Sequence, residues 1–202
     1  DLGAGGRAVA TTQTAERAYR ASEGATPAIL RVHHTVGAGA WLDWLPQETI
    51  LYEGSALHRE TRIDLAEGAG CMLLEAVVLG RAAMGETLEH LRFSDLREVC
   101  RQGRPVLIEP LELDTLRLAR KTPAMIPARA FATLAVIGAG AEDAAGAARA
   151  ALSVEGVTAA VSGFDGKCII RMMAADGWPL RRQILALFSA LRRDPVPRVW
   201  QI

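Results

Sequence analysis

Period-two alternation dominates the chain as far as Gly140. Ile29-Leu30-Arg31-Val32-His33 and Thr61-Arg62-Ile63-Asp64-Leu65 each place polar and apolar residues on opposite faces, the pattern of a half-buried strand. Leu107–Leu113 and Ala130–Ile137 predict further strands. Helical periodicity is scarce in this region: Thr14–Ala21 predicts a short turn of helix, and Ser94–Gly103 is ambiguous. After Gly140 the pattern changes. Ala141–Ser153 is alanine-rich, with Glu142 and Asp143 where negative charge suits a helix start. Val157–Ser162 and Lys167–Met173 flank Gly163-Phe164-Asp165-Gly166, a hairpin signal. A last helix is expected from near Pro179 to about Arg193, its apolar stripe formed by Ile184, Leu185, Leu187, Phe188 and Leu191. Pro195 and Pro197 end it.

Gly-Ala-Gly recurs at 3–5, 37–39 and 68–70, at intervals of 34 and 31 residues. Each copy precedes a strand-like run: Ala8–Thr12, Ala40–Leu45 and Cys71–Leu79. Glycine supplies the positive φ of a tight turn, and recurrence at such a period marks a repeated supersecondary unit. The βαββα order after the last of these strands predicts a smaller α+β part. With no linker-like run in the chain, it reads as one continuous unit.

Composition narrows the function. The chain has 202 residues, with 23 basic against 23 acidic side chains. Zero net charge and no basic run argue against nucleic acid, and weak self-repulsion suits a subunit of something larger. Apolar stretches are broken before membrane-spanning length. Cys71, Cys100 and Cys168 are widely spaced and odd in number, the pattern of buried reduced thiols in a cytoplasmic protein. The chain opens at Asp1 on turn-like residues, so the natural N-terminus is expected upstream.

Catalytic signatures are missing. No serine has a Gly-x-Ser-x-Gly context, and no glycine-rich loop ends in Gly-Lys-Ser/Thr. The adjacent His33 and His34 point to opposite strand faces, so a permanent metal site made by this chain alone is not expected. A site shared with a partner or a second copy stays open. Trp41 and Trp44, three apart, face opposite sides of their strand. Either one anchors an interface at the surface, or both are core residues of a sheet covered on two sides. Pro46 marks the end, kink or edge of that strand, with Glu48 beside it. Arg81 and Glu86 flank a bend at Gly80 and Gly85. They form a structural salt bridge, or Glu86 lines a polar conduit where carboxylates bind divalent ions weakly enough for passage.

Several segments occur in the order seen in one family. They are Thr11-Thr12-Gln13 with Glu16-Arg17 and Tyr19-Arg20, the run from Trp41 through Trp44 to Ile50, Gly80-Arg81 through Glu86, and the ending Pro197-Arg198-Val199-Trp200. Together they resemble the urease accessory protein D family across residues 1–202. The resemblance implies a mainly β, elongated, stacked-sheet (β-helix-like) scaffold with a smaller α+β C-terminal part containing two helices. It implies one domain, β-rich over 1–137 and helix-containing over 138–202, lacking N-terminal strands that family members carry with a Gly-Gly-Asp segment. The implied function is non-catalytic and cytoplasmic: a chaperone of urease metallocentre assembly. Such a protein binds the urease apoprotein and the accessory proteins F and G, G being the GTPase that brings nickel. Nickel released there passes through the D protein to the urease active site, where a carbamylated lysine completes the site. No cofactor is held permanently and nickel is in transit. The candidate path residues are Glu48, Glu75, Arg81 and Glu86, and the candidate partner-facing residues are Trp41, Trp44, Tyr19 and Arg20. Two other readings differ in class: a generic interaction module on a β-solenoid-like scaffold, and a hydrolase with a carboxylate pair.

Overall fold

A computed structural model describes residues 1–119 and 128–201. Twelve strands run in chain order among them: β1 (Arg7–Ala10), β2 (Glu16–Ala18), β3 (Ala28–Val36), β4 (Trp41–Trp44), β5 (Thr49–Leu51), β6 (Ala56–Leu65), β7 (Gly70–Leu79), β8 (Arg92–Arg101), β9 (Arg104–Asp114), β10 (Ala130–Ile137), β11 (Val157–Phe164) and β12 (Lys167–Ala174). Three α-helices join them, α1 (Thr115–Ala119), α2 (Ala144–Ala150) and α3 (Gly177–Leu191). The chain is mainly β, as the alternation predicts.

The strands form two sheets. The larger orders β1-β4-β7-β10-β12-β11, with β2 and β5 continuing beside β7; the smaller orders β3-β6-β8-β9. Pairing is parallel from β1 to β4 to β7, from β2 to β5 to β7, and from β3 to β6 to β8. From β8 onward it is antiparallel. The repeat seen in the glycines has a physical basis here. Gly5, Gly39 and Gly68 take φ of 66°, 63° and 67°, each two residues before a strand of the same stack. The Gly5 N–H donates to Ala38 O at 2.8 Å and the Gly39 N–H to Glu67 O at 2.9 Å, so the turns stack on each other. The demand is for one left-handed residue, not for the tripeptide: its third copy begins with that glycine, whereas the first two end with it. Gly70 answers a different need, because a Cβ there would lie 2.4 Å from the Trp41 ring.

One expectation is corrected and two are made exact. Thr14–Ala21 is not helical: Glu16–Ala18 pairs in parallel with Thr49–Leu51, and the sheet ladder overrides a weak local preference. Ser94–Gly103, ambiguous in sequence, is strand: it forms all but the first two residues of β8 and the turn after it. The last helix starts at Gly177, because the Asp176 side chain caps it by accepting from the Trp178 N–H at 2.8 Å. Pro179 sits two residues further in, still in the first turn, where N–H groups have no helical acceptor. The predicted hairpin turn falls on Asp165-Gly166, both left-handed, as a two-residue turn requires. Its strands extend the large sheet edge-on instead of packing on it, and α1 adds a helix before Gly140.

The large sheet is covered on both faces. On β7, Met72, Leu74 and Ala76 face the core under α2, α3 and Trp200. Cys71, Leu73, Val77 and Leu79 face the smaller sheet. Leu180, Ile184, Leu187 and Phe188 of α3 are buried against the first face, each contributing about 1.5–3 kcal/mol of transfer free energy.

Candidate functional site

The inter-sheet interior is apolar at its two ends and charged in the middle. The inward positions of β6 run Leu57, Arg59, Thr61, Ile63, Leu65, and those of β8 run Phe93, Asp95, Arg97, Val99. On β7, Glu75 interrupts the apolar series, and on β9 Glu109 lies between Leu107 and Leu111. The apolar ends form two separate clusters, and this charged belt divides them.

Its members pair in sequence. Arg59 donates from Nε and Nη2 to the two carboxylate oxygens of Asp95, both at 2.9 Å. Its Nη1 lies 2.8 Å from Glu75 Oε2 and donates to Thr49 Oγ1 at 2.8 Å. Arg97 lies 3.3 Å from Asp95 and 3.4 Å from Glu109, and Arg171 closes the row at 2.7 Å from Glu109. Glu75 also accepts from Trp44 Nε1 at 3.4 Å and Thr61 Oγ1 at 3.4 Å. Beyond Trp44 stands His34, ring centroids 4.8 Å apart, its Nε2 without a partner among the described residues. At the other end the belt opens into a cleft of about 450 Å³ lined by Arg97, Glu109, Arg171 and apolar residues that include Leu111, Phe131 and Met172.

Of the belt members, Arg59, Arg97, Glu75 and Asp95 are buried, two guanidiniums against two carboxylates, as burial demands, while Glu109 and Arg171 carry the row toward solvent. Glu75 is 4% exposed. Burial raises its pKa above the ordinary carboxylate value, against the pull of Arg59. Burial also works against the charge of Arg59, but Glu75 and Asp95 outweigh it and hold the guanidinium protonated. Burial lowers the pKa of His34, keeping the ring neutral. The belt is polar, and each of its carboxylates is paired with at least one guanidinium.

Of the path residues expected from sequence, Glu75 alone lies in the belt. Glu48 sits 3.4 Å from Arg181 of α3. Arg81 and Glu86 form the salt bridge across their bend, with Nε and Nη2 donating to the two oxygens at 3.0 Å each. Hydrogen bonds from the Arg81 side chain, opposed by burial, help lower the Glu86 pKa to about 2. Among the described residues no hydrogen bond or ion pair joins Glu48, Glu75 and the Arg81–Glu86 pair. Trp41 and Trp44 do face opposite sides, but both are half-buried: Trp41 Nε1 donates to Asp43 at 2.7 Å. Tyr19 and Arg20 are exposed, and Tyr19 meets Tyr52 edge-on at 5.1 Å. The three cysteines are free and buried, and burial pushes the Cys71 thiol up to about 12. Among the described residues, no group of three or more His, Cys, Asp or Glu is arranged to hold a metal ion. No described helix is long and apolar enough to cross a membrane, a statement that covers helices alone.

Arg59, Asp95, Arg97, Glu109 and Arg171 are belt members that the sequence reading missed. The signal was present: on β6 and β8 these charges share the parity of buried apolar residues. A charge on the buried face of an alternating strand needs a partner: Arg59 and Arg97 meet Asp95 and Glu109 on neighbouring strands of the smaller sheet, and the larger sheet adds Glu75 and Arg171.

Two sequence motifs that looked unrelated form one joint. The break after β4 carries Leu45-Pro46-Gln47-Glu48 out toward the C-terminal tail. Trp200 Nε1 donates to Leu45 O at 3.0 Å, Gln47 Nε2 donates to Val199 O at 3.0 Å, and the Arg181 guanidinium lies 4.5 Å from the Trp200 ring centroid.

Comparison with known proteins identifies the family. The model of the family described as UreD urease accessory protein matches residues 1–201. A urease accessory protein UreD of Cereibacter sphaeroides is 61% identical over 203 residues, covering 100% of this chain and 73% of the relative. One from Paracoccus denitrificans is 55% identical, covering 97% of this chain and 70% of the relative. One from Rhizobium leguminosarum bv. viciae is 42% identical, covering 100% and 74%. The chain belongs to the UreD urease accessory protein family.

Proposed function

We propose that this chain is a non-catalytic, cytoplasmic maturation factor that binds the urease apoprotein and the accessory proteins F and G and helps deliver nickel into the urease active site. The observation that carries the reading is the family match over residues 1–201, with relatives named as urease accessory proteins. The parallel stacking of β1, β4 and β7 and of β3, β6 and β8 supports a β-helix-like scaffold that presents docking surfaces. The charged belt supports passage of nickel as cargo, with Glu75, Asp95 and Glu109 offering carboxylate oxygens along it. Within that reading Glu75 is the path residue with the strongest support. Glu48, Arg81 and Glu86 belong to joints between elements. Tyr19 and Arg20, exposed just after β2, are better placed to meet a partner than the half-buried Trp41 and Trp44.

The test is co-expression of the chain, extended to the length of its relatives, with the urease subunits and the other accessory proteins. Retention of urease on the tagged chain is expected, with loss of urease activity when the chain is left out. Full activity without it, and no urease in the eluate, would favour a scaffold for another partner.

A further inference from the structure

A second polar site lies where the start of the large sheet meets the end of α3. A cavity of about 340 Å³ is lined there by Arg7, Trp41, Asp43, Gly140, Arg192 and Arg193, among others. Three guanidiniums share that lining with one carboxylate, and the carboxylate is already engaged. Arg192 Nε donates to one oxygen of Asp43 at 2.7 Å, and Trp41 Nε1 donates to the other at 2.7 Å. The Arg192 side chain is 1% exposed. Its Nη1 donates to the carbonyls of Asp194 and Pro195, and its Nη2 has no partner among the described residues.

The other two cations are only loosely engaged. Arg7 lies 5.9 Å from the Trp41 ring centroid, and its contact with Asp194, at 3.6 Å, is long and half-exposed. Arg193 is exposed and makes no hydrogen bond or ion pair among the described residues. The backbone N–H groups of Ala139 and Gly140, in the same lining, donate to no protein acceptor among those residues. A buried guanidinium nitrogen without an acceptor is costly, and a planar fork beside two further arginines matches an oxyanion in both charge and shape.

We infer that this pocket is a binding site for an oxyanion, a carboxylate or phosphoryl group, held between Arg7, Arg192 and Arg193 against the Trp41 ring. It accounts for the Trp41-Leu42-Asp43 part of the motif, which the maturation reading leaves without a role. The group comes either from a free small anion or from an acidic side chain of a protein partner, and the site stands apart from the charged belt.

The test titrates the full chain at low salt with citrate, with inorganic phosphate and with a glutamate-rich peptide, following tryptophan fluorescence and calorimetric heat. Sodium chloride of equal ionic strength is the reference. Saturable binding of at least one probe is expected, weakened about tenfold in the Arg7→Gln/Arg193→Gln double variant. Both side chains are exposed, so the fold should persist; if the double variant melts early, Arg193→Gln alone gives the readout. Binding of citrate or phosphate without the peptide identifies a free anion. Peptide binding that citrate displaces identifies a protein-borne one. A response that chloride reproduces, or a folded variant that binds like the parent chain, would overturn the site.

Discussion

The two faces of β7 carry opposite solutions to burial. Met72, Leu74 and Ala76 meet helices and need only volume and shape. One residue out of step with them, Leu73, Glu75 and Val77 meet another sheet, and the middle position is a charge. The first face is held by transfer free energy, which tolerates small errors in direction. The second depends on partners from four other strands arriving in register, because an unpaired charge there has no water to turn to. A protein that needed only stability would have no use for the second arrangement, since well-packed apolar residues serve at least as well. The belt is therefore the region where a role beyond folding is most economically sought.

Substitutions can break this comparison in graded steps. The largest effect is expected on the helix face. Leu187→Asp puts a carboxylate among apolar neighbours with no cation near, and should cost more than the about 2–5 kcal/mol of a leucine-to-alanine cavity, leaving the chain unfolded in a urea titration. A folded Leu187→Asp protein that merely lost a partner would mean that α3 is an interface instead.

Next comes Arg59→Ala in the belt, which strands Glu75, leaves Asp95 to Arg97 alone and should cost about 3–5 kcal/mol. The contrast sharpens when the pair is neutralised together as Arg59→Met and Glu75→Gln, which leaves Asp95 with Arg97. Stability should return most of the way to that of the parent, yet the nickel content of co-expressed urease should fall. Restored stability with unchanged nickel would make the belt purely architectural.

A smaller loss, about 1–2 kcal/mol, is expected for Trp200→Phe, which keeps the ring but removes the donor to Leu45 O. Its melting temperature should fall without any change in the belt. The smallest effect belongs to the surface joint. The Glu86 pKa is about 2 in the folded chain against an ordinary 4.5, so its contribution is present above pH 4.5 and disappears as pH falls toward 2. With Arg81 half exposed, Glu86→Gln should remove about 1 kcal/mol near neutral pH and flatten the acid limb in that window. An acid limb identical to the parent's would show that the bridge contributes nothing.

Much of the fold was legible. Alternation located β3, β6, β9 and β10, and the Asp165-Gly166 turn located a hairpin, because strand pleat and turn φ are local demands. The glycine repeat pointed to stacking, although one copy matched the tripeptide and not the conformation. Thr14–Ala21 misled for the opposite reason: its three strand residues have no strong preference of their own, and only β5 beside them decides. Among the site residues Glu75 was visible as a charge in an apolar run. Arg59, Asp95 and Arg97 carry the parity of buried residues on β6 and β8, but their partners are known only once the strands are paired.

What the sequence determined by itself is the class of element at each stretch, the places where glycine or proline must interrupt it, and the family to which the motifs belong. Each rests on chemistry within a few neighbouring residues. The tertiary structure alone decided which buried charges meet, that Leu45–Gln47 receives the C-terminal Trp200, and that Trp41, Asp43 and three distant arginines share a pocket. The longest of these pairings join residues 149 and 155 positions apart. Alternation can place a charge on the buried face, but nothing local says which distant partner it will meet there.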